Sequence, residues 1–408
     1  MKQIELINCP ICKSTNSKSI LKLHCGTFDG STLYHNVVIN TCNSCGHIYN
    51  RLSSDEIIGL MKYYNEEYAP SNMGAPDNSG DRPGSKNYFT IKRYFQLYDF
   101  INPVLTKHSF ILDVGCAMGG FLDYLHQQGL NNLFGIDLTQ KYVDYANNIG
   151  GYTIKLGNAE SIPFARNTFD LLVIDQVMEH LVEPINAFKE AKRVLKDGGF
   201  LCIGIPDASR YDEIYFFDFY WFLMREHIQH FDIEHLRLIG EDTGFELISL
   251  SKSEAPMMSN SMILPNLNAI FRLTDSAIKK PADKKTCFEL QNNIKKYIAN
   301  ETERLRKRKE TIEQLKRLEK QIYVWGIGRE FLYLYEQAGL KYCNIEALID
   351  ANPYKQEHVT LEKKGIADPS ILKNATRNSI VLITAIAHKD TIKKSLDNLG
   401  YKGGIAEL

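Results

Sequence analysis

The stretch Phe110-Ile-Leu-Asp113-Val-Gly115-Cys116-Ala-Met-Gly119-Gly120-Phe-Leu constrains the fold more than any other part of the chain. An apolar strand runs into a glycine turn and out again into the apolar helix Phe121–Leu125. Glycines let the backbone approach a ligand closely, and a helix start offers free N–H groups. Eighteen residues beyond Gly119, a second apolar run, Leu133–Ile136, ends in Asp137. An acid at the tip of strand two suits a pair of ribose hydroxyls. Further apolar runs at Leu171–Ile174 and Phe200–Ile205 alternate with helical patterns between Tyr88 and about Ser251. That alternation predicts an α/β fold with a parallel sheet covered on both faces. Dinucleotide-binding turns share the layout but read G-x-G-x-x-G. Here Asp113 precedes the turn, Ala117 stands at the middle glycine, and the context is D-V-G-C-x-x-G.

A second spacing points to a metal. Cys9-Pro-Ile-Cys12 and Cys42-Asn-Ser-Cys45 each place two thiols on a tight turn, with Pro10 and Gly46 fitting those turns. Four sulfur ligands satisfy tetrahedral zinc and leave no open position, so such a Zn2+ site is structural. The loop between the pairs is longer than in common zinc ribbons, but loop-closure entropy grows only logarithmically with length. His24, Cys25, His35 and His47 are alternative ligands. The stretch Met1 to Pro10 carries Glu5 and Asn8 and no apolar core of signal-peptide length. The nine cysteines are therefore expected as reduced, metal-binding thiols in the cytoplasm rather than as disulfides. Lys+Arg 48 against Asp+Glu 49 leaves a formal charge of −1, which offers no basic field for nucleic acid or anionic lipid. No uncharged apolar run of about 18 residues occurs, so no membrane span is expected.

At about 100–200 residues per domain, 408 residues predict two to three domains. Ser53 to Tyr68 reads as a helix, with Ser53 and Ser54 as caps and Asp55 and Glu56 suiting its positive first turn. Ala69 to Ser85 is rich in Gly, Pro, Asn and Asp and reads as a mobile lid that orders over substrate. Glu289 to Lys320 is strongly charged, with Ile294, Ile298, Leu305, Ile312, Leu315 and Leu318 at helical spacing, which predicts a long connecting helix. Ile322–Trp325, Ile345–Ile349 and Ser379–Thr384 read as strands of a second, smaller α/β unit. The expected division is a metal module with connecting helix over 1–68, an α/β domain with its lid over 69–255, a helical linker over 256–320, and a C-terminal unit over 321–408.

The D-V-G-C-x-x-G turn resembles motif I of the class I S-adenosylmethionine (SAM) methyltransferases. Gly157-Asn158-Ala159-Glu160 to Pro163-Phe164 resembles the adenine-edge loop of that family, with Asn158 where Asp is common. Phe169 to His180, including Asp175 and Gln176, resembles its fourth strand and following loop, and Ala191 to Phe200 the helix and turn before strand five. The resemblance implies a class I methyltransferase Rossmann-like sheet. It also implies SAM as cofactor and binding by Asp113, Gly115, Cys116, Gly119, Asp137, Asn158, Ala159, Asp175 and Gln176.

The order of the whole chain, zinc module, SAM domain, long helix and small α/β unit, resembles the sugar C-methyltransferases. In those enzymes the zinc domain packs over the active site and the C-terminal domain helps hold a nucleotide. Glu226-His227 resembles the family's Glu-His pair after strand five, His180 a histidine after strand four, and Tyr68 a lid tyrosine. The resemblance implies C-methylation of a nucleotide-linked deoxy or keto sugar through an enolate, O- or N-methylation of a nucleotide sugar or other small metabolite being the alternative. In that reading His227 is the base, Glu226 orients its ring or raises its basicity, and His180 and Tyr68 hydrogen-bond the developing oxyanion. The family's tyrosine two residues before that Glu is Met224 here. In the C-terminal unit, Trp325-Gly326-Ile-Gly328-Arg329 offers a turn and helix start for a phosphate, with Asp350 after the second strand, but the Trp-Asn of the family is missing near Thr384.

Overall fold

A computed structural model describes residues 8–73, 84–149, 151–213, 219–257, 262–274 and 284–407. The N-terminal strands β1 (Ser17–His24), β2 (Asn36–Cys42) and β3 (Ile48–Asn50) form an antiparallel sheet that carries the cysteine turns at its ends. Helix α1 (Ser54–Tyr63) starts with a capping box, in which Ser53 Oγ accepts from the N–H of Glu56 and the Glu56 carboxylate accepts from the N–H of Ser53. The expected single helix to Tyr68 is interrupted. A π-turn occupies Tyr64–Tyr68, and α2 (Ala69–Met73) follows it. The first residues of the expected lid are thus helical, and its centre, 74–83, lies outside the described residues.

After α3 (Tyr88–Ile101), the chain winds β4 (Ile111–Val114), α4 (Gly120–Gln127), β5 (Leu133–Asp137), α5 (Gln140–Ile149), β6 (Thr153–Leu156), β7 (Phe169–Asp175), α6 (Pro184–Val194) and β8 (Leu195–Pro206). A short strand β9 (Gln229–His230), helix α7 (Ile233–Thr243) and the hairpin β10 (Phe245–Met257) and β11 (Met262–Leu273) complete this region. The large sheet runs β10-β11-β8-β7-β4-β5-β6, parallel except that β11 is antiparallel to both neighbours. One finding differs from expectation and one was not anticipated. Residues 262–273 are an interior strand of this sheet, one in from its edge, so the domain passes 255 and the helical linker begins at Lys284. And β9 joins the other sheet, pairing Ile48 with His230 and Tyr49 with Gln229.

The linker is α8 (Lys284–Arg317), which buries Leu290, Ile294, Tyr297 and Ile312. Beyond it lie β12 (Gln321–Trp325), α9 (Arg329–Gln337), β13 (Ile345–Ile349), α10 (Pro353–His358), β14 (Thr360–Leu361), β15 (Lys364–Ala367), β16 (Ser379–Ile383), α11 (Lys389–Leu399) and β17 (Gly404–Glu407). Their sheet runs β14-β15-β13-β12-β16-β17. One apolar core continues from Ile39 and Tyr49 of the N-terminal sheet through Phe222 and Ile228 to Tyr297 of α8 and Phe331 and Leu382 of the C-terminal unit. No helix among the described residues is long and apolar enough to cross a membrane.

Candidate active site

The expected glycine turn leaves β4 at the centre of the large sheet. Gly115 and Gly119 take φ of 82° and 79° there, a conformation glycine adopts without strain. Three carboxyls stand on adjacent strand ends around it: Asp137 on β5, Asp113 on β4 and Asp175 on β7. Burial, then the charges of Asp175 and Asp137, hold the Asp113 carboxyl up at about 8. Burial likewise raises Asp175 to about 6, partly offset by Arg93. Asp137 is also raised by burial, although its carboxylate accepts from the N–H groups of Ala117 and Thr139, both at 2.9 Å. Each carboxylate oxygen still has a lone pair for a hydroxyl. Asp113 has no hydrogen-bond partner among the described residues. Buried acids of one sign gathered on a turn favour a positively charged ligand.

The remaining residues expected at the cofactor fall around this cleft. Gly157 N–H donates to Asp137 O at 2.9 Å and brings the loop of Asn158 and Ala159 to the tip of β5. Asn158 Oδ1 accepts from Glu160 N–H at 2.9 Å, and Ala159 is buried in the core. The Cys116 side chain packs into the core beside Gly135 and Leu122, so at that position only the backbone faces the turn. Gln176, at φ 55°, donates from Nε2 to Asn266 Oδ1 at 3.1 Å. Ala69 and Met73 of α2 close over Ala117 and Met118.

A second cluster follows the C-terminal ends of β7 and β8, on the same edge of the sheet as the glycine turn. His180 Nδ1 lies 2.7 Å from the carbonyl of Glu226 and 3.1 Å from the Tyr64 hydroxyl. His227 Nδ1 lies 3.0 Å from the carbonyl of Phe222. A carbonyl only accepts, so Nδ1 carries the proton in both rings and both Nε2 lone pairs are free. The rings meet edge to face with centroids 5.1 Å apart. Burial, then His180 and His230, holds His227 well below the usual histidine range, and burial lowers His180 too. Both shifts favour the neutral ring. The Glu226 carboxylate does not touch the His227 ring as expected; it accepts from Tyr63 OH at 3.1 Å. Tyr68 packs against Tyr63 and Tyr64, and its hydroxyl is raised by burial and then by the charges of Glu226 and Asp137. The π-turn therefore supplies hydroxyls near the wall where Met224 supplies none.

Glu179, Tyr63 and Asn266 also belong to this site and were missed in the sequence. Glu179 is 2% exposed, and burial holds it up at about 8. Its adjacency to His180 is the one signal that pointed to it.

The four cysteine thiols converge, with Cys9 and Cys45 sulfurs 3.6 Å apart and Cys12 and Cys42 sulfurs 3.5 Å apart. A Zn–S bond of about 2.3 Å sets tetrahedral sulfurs about 3.8 Å apart, so the cluster fits zinc. The alternative ligands are engaged elsewhere: His24 with Asn36, Cys25 with the Leu23 carbonyl, His35 with Thr27, and His47 with Gln229. Beyond α8, the expected phosphate turn is closed by its own residues. Asp350 accepts from Ile327 N–H at 3.0 Å and Lys355 at 2.9 Å, while Arg329 donates to Phe219 O at 3.1 Å.

Comparison with known proteins bears on the central region. The chain is 34% identical over 112 residues to an uncharacterised methyltransferase of Schizosaccharomyces pombe, covering 24% of this chain and 39% of that one. It is 29% identical over 168 residues to a fatty-acid O-methyltransferase of Mycolicibacterium smegmatis, covering 40% of this chain and 57% of that one. It therefore spans less than two thirds of either relative. A solved SAM-dependent methyltransferase of Methanosarcina mazei is 22% identical with a TM-score of 0.37, covering 43% of this chain and 98% of that one. Residues 112–203 match the family model of a methyltransferase domain, and it is this domain that carries the glycine turn and its three strand-end acids.

Proposed function

We propose that the chain transfers the methyl group of SAM to a small acceptor lodged between the glycine turn and the His180–His227 wall. The observation that carries this reading is the trio Asp113, Asp137 and Asp175, buried around the turn, with Asp113 lacking a hydrogen-bond partner among the described residues. SAM bears a sulfonium and an ammonium, and such a ligand relieves the mutual repulsion of the acids. Asp137 would hold the ribose hydroxyls, Asp113 would face the methionine end, and the loop of Asn158 and Ala159, with Asp175 and Gln176, would border the pocket. The Cys9, Cys12, Cys42 and Cys45 cluster would hold one structural zinc.

For the acceptor, the order of the units supports a nucleotide-linked deoxy or keto sugar methylated at carbon. Methyl transfer needs an electron-rich atom aimed at the methyl carbon, which positioning and one proton-accepting group supply. The Nε2 lone pairs of His227 and His180 meet that need, with Tyr64 and Tyr68 near the developing oxyanion. Met224 favours the second reading, O-methylation, because the expected tyrosine is absent. Calorimetry with SAM tests the cofactor: Asp137→Ala should weaken binding at least tenfold, as loss of charge-assisted hydrogen bonds worth about 1.5–3 kcal/mol each requires. NMR of the product tests the acceptor, a C–CH3 signal supporting the first reading and an O–CH3 signal the second.

A further inference from the structure

The wall contains one arrangement that acid–base chemistry alone does not need. Glu179, His180 and His227 bring a carboxylate oxygen and two ring nitrogens within 4.8 Å of one another. Glu179 Oε1 stands 3.9 Å from His180 Nε2. Its other oxygen is fully buried and has no hydrogen-bond partner among the described residues. An orphaned carboxyl oxygen inside a protein is costly, and a proton, a water or a cation relieves it, the cation being the one that also engages both imidazole lone pairs beside it. The imidazoles are prepared in the same sense. Each donates Nδ1–H to a backbone carbonyl, His180 to Glu226 and His227 to Phe222, leaving Nε2 as a lone pair. That outer hydrogen bond to a carbonyl is the support that metal-binding histidines almost always have.

We propose that Glu179, His180 and His227 form a binding site for one divalent transition-metal ion, separate from the four-cysteine cluster. Two imidazoles and one carboxylate suit zinc, iron, cobalt or nickel and leave coordination positions open. Metal–ligand bonds of about 2.0–2.2 Å require the three atoms to draw in by roughly 1 Å. The His180 side chain is 26% exposed, which gives the ion and an acceptor oxygen a way in. The position of the acceptor rests on the function proposed above; the ion site rests on the three side chains. An ion there engages the His227 lone pair and polarises an acceptor oxygen, so His227 is then a ligand and not a free base.

The test uses the full chain with its cysteine cluster loaded with zinc, titrated with Co2+. The expected result is one Co2+ taken up beyond the zinc, with cobalt d–d absorption and no thiolate charge-transfer band. Glu179→Gln and His180→Ala should each weaken that uptake at least tenfold while leaving the zinc in place. Trp221, whose ring centroid is 5.8 Å from that of His227, gives a readout on the unaltered chain, because Co2+ at this site should quench its fluorescence. No Co2+ uptake beyond the zinc at about 1 mM, where binding is worth only about 4 kcal/mol, would overturn the proposal. Uptake unchanged in both variants would overturn it equally. SAM binding measured on the same samples separates the two readings. Retained SAM binding without Co2+ uptake removes the ion alone, and Co2+ uptake without SAM binding removes the cofactor reading alone.

Discussion

Asp113 carries a titration that ligand binding should expose. Held up at about 8, its carboxyl is largely protonated at pH 7 in the cofactor-free protein. A cation arriving beside it favours the charged form, so SAM binding at pH 7 should release close to one proton. Affinity should then rise about tenfold per pH unit up to about 8 and level off above it. The same shift has the opposite consequence for the free protein. The folded chain binds this proton more tightly than the unfolded one, so stability falls as pH climbs from about 4, the unfolded value, towards 8. Calorimetry in two buffers of different ionisation enthalpy measures the proton, and Asp113→Asn should abolish its release. On the facing wall, His227→Gln should fold and bind SAM normally yet lose at least about a hundredfold in kcat, the scale of losing a group at the reacting atoms, whether the ring takes the proton itself or holds an ion that polarises the acceptor. A packing histidine would instead cost stability. Near-normal kcat in this variant would move the chemistry to His180 alone.

The elements around the turn are fitted to one another at Gly120, the first residue of α4. A Cβ there would strike the backbone carbonyls of Gly84 and Ser85 and stand 2.8 Å from the Tyr94 hydroxyl. Gly120→Ala should therefore cost roughly 1–3 kcal/mol, the scale of overpacking, and weaken SAM binding by displacing the turn. Chemical denaturation and SAM titration of the variant measure both. The strand–turn–helix unit was legible in the sequence because everything defining it lies in one short stretch, Phe110 to Leu125: apolar run, glycines, apolar helix. The cysteine turns were legible for the same reason. The π-turn was not, since Tyr64–Tyr68 has ordinary helical composition and its extra residue shows only in what the tyrosines reach. Nor was β11, whose run Ile263 to Leu273 carries Pro265 and two asparagines and finds its place only by pairing with β8, some sixty residues earlier. Glu179 stayed hidden because burial and convergence on His227 depend on contacts across forty-eight positions.

At the scale of the whole molecule, the cysteine module and the proposed acceptor wall share structure. The strand Gln229–His230 begins two residues after His227 and pairs with Ile48 and Tyr49, three and four residues beyond Cys45. His235, at the start of α7, adds a second tie. Its Nε2 reaches the carbonyl of Cys45 at 3.0 Å, and its Nδ1 lies 2.6 Å from Asp232. Both ring nitrogens thus donate, and the imidazolium pairs with a carboxylate held below its usual range despite its burial. Helix α8 adds a third, from Gln291 to the Cys42 carbonyl at 3.3 Å. A metal that fixes the two cysteine turns would therefore also fix the backbone that aims His227. Cys42→Ser, or chelation of the zinc, should reduce kcat at least tenfold while SAM affinity changes by no more than a few-fold, because the glycine turn hangs on a different sheet. Elemental analysis, turnover and SAM calorimetry on one preparation test this together. A chain that loses its zinc and keeps its kcat would show that the module folds beside the site without holding it.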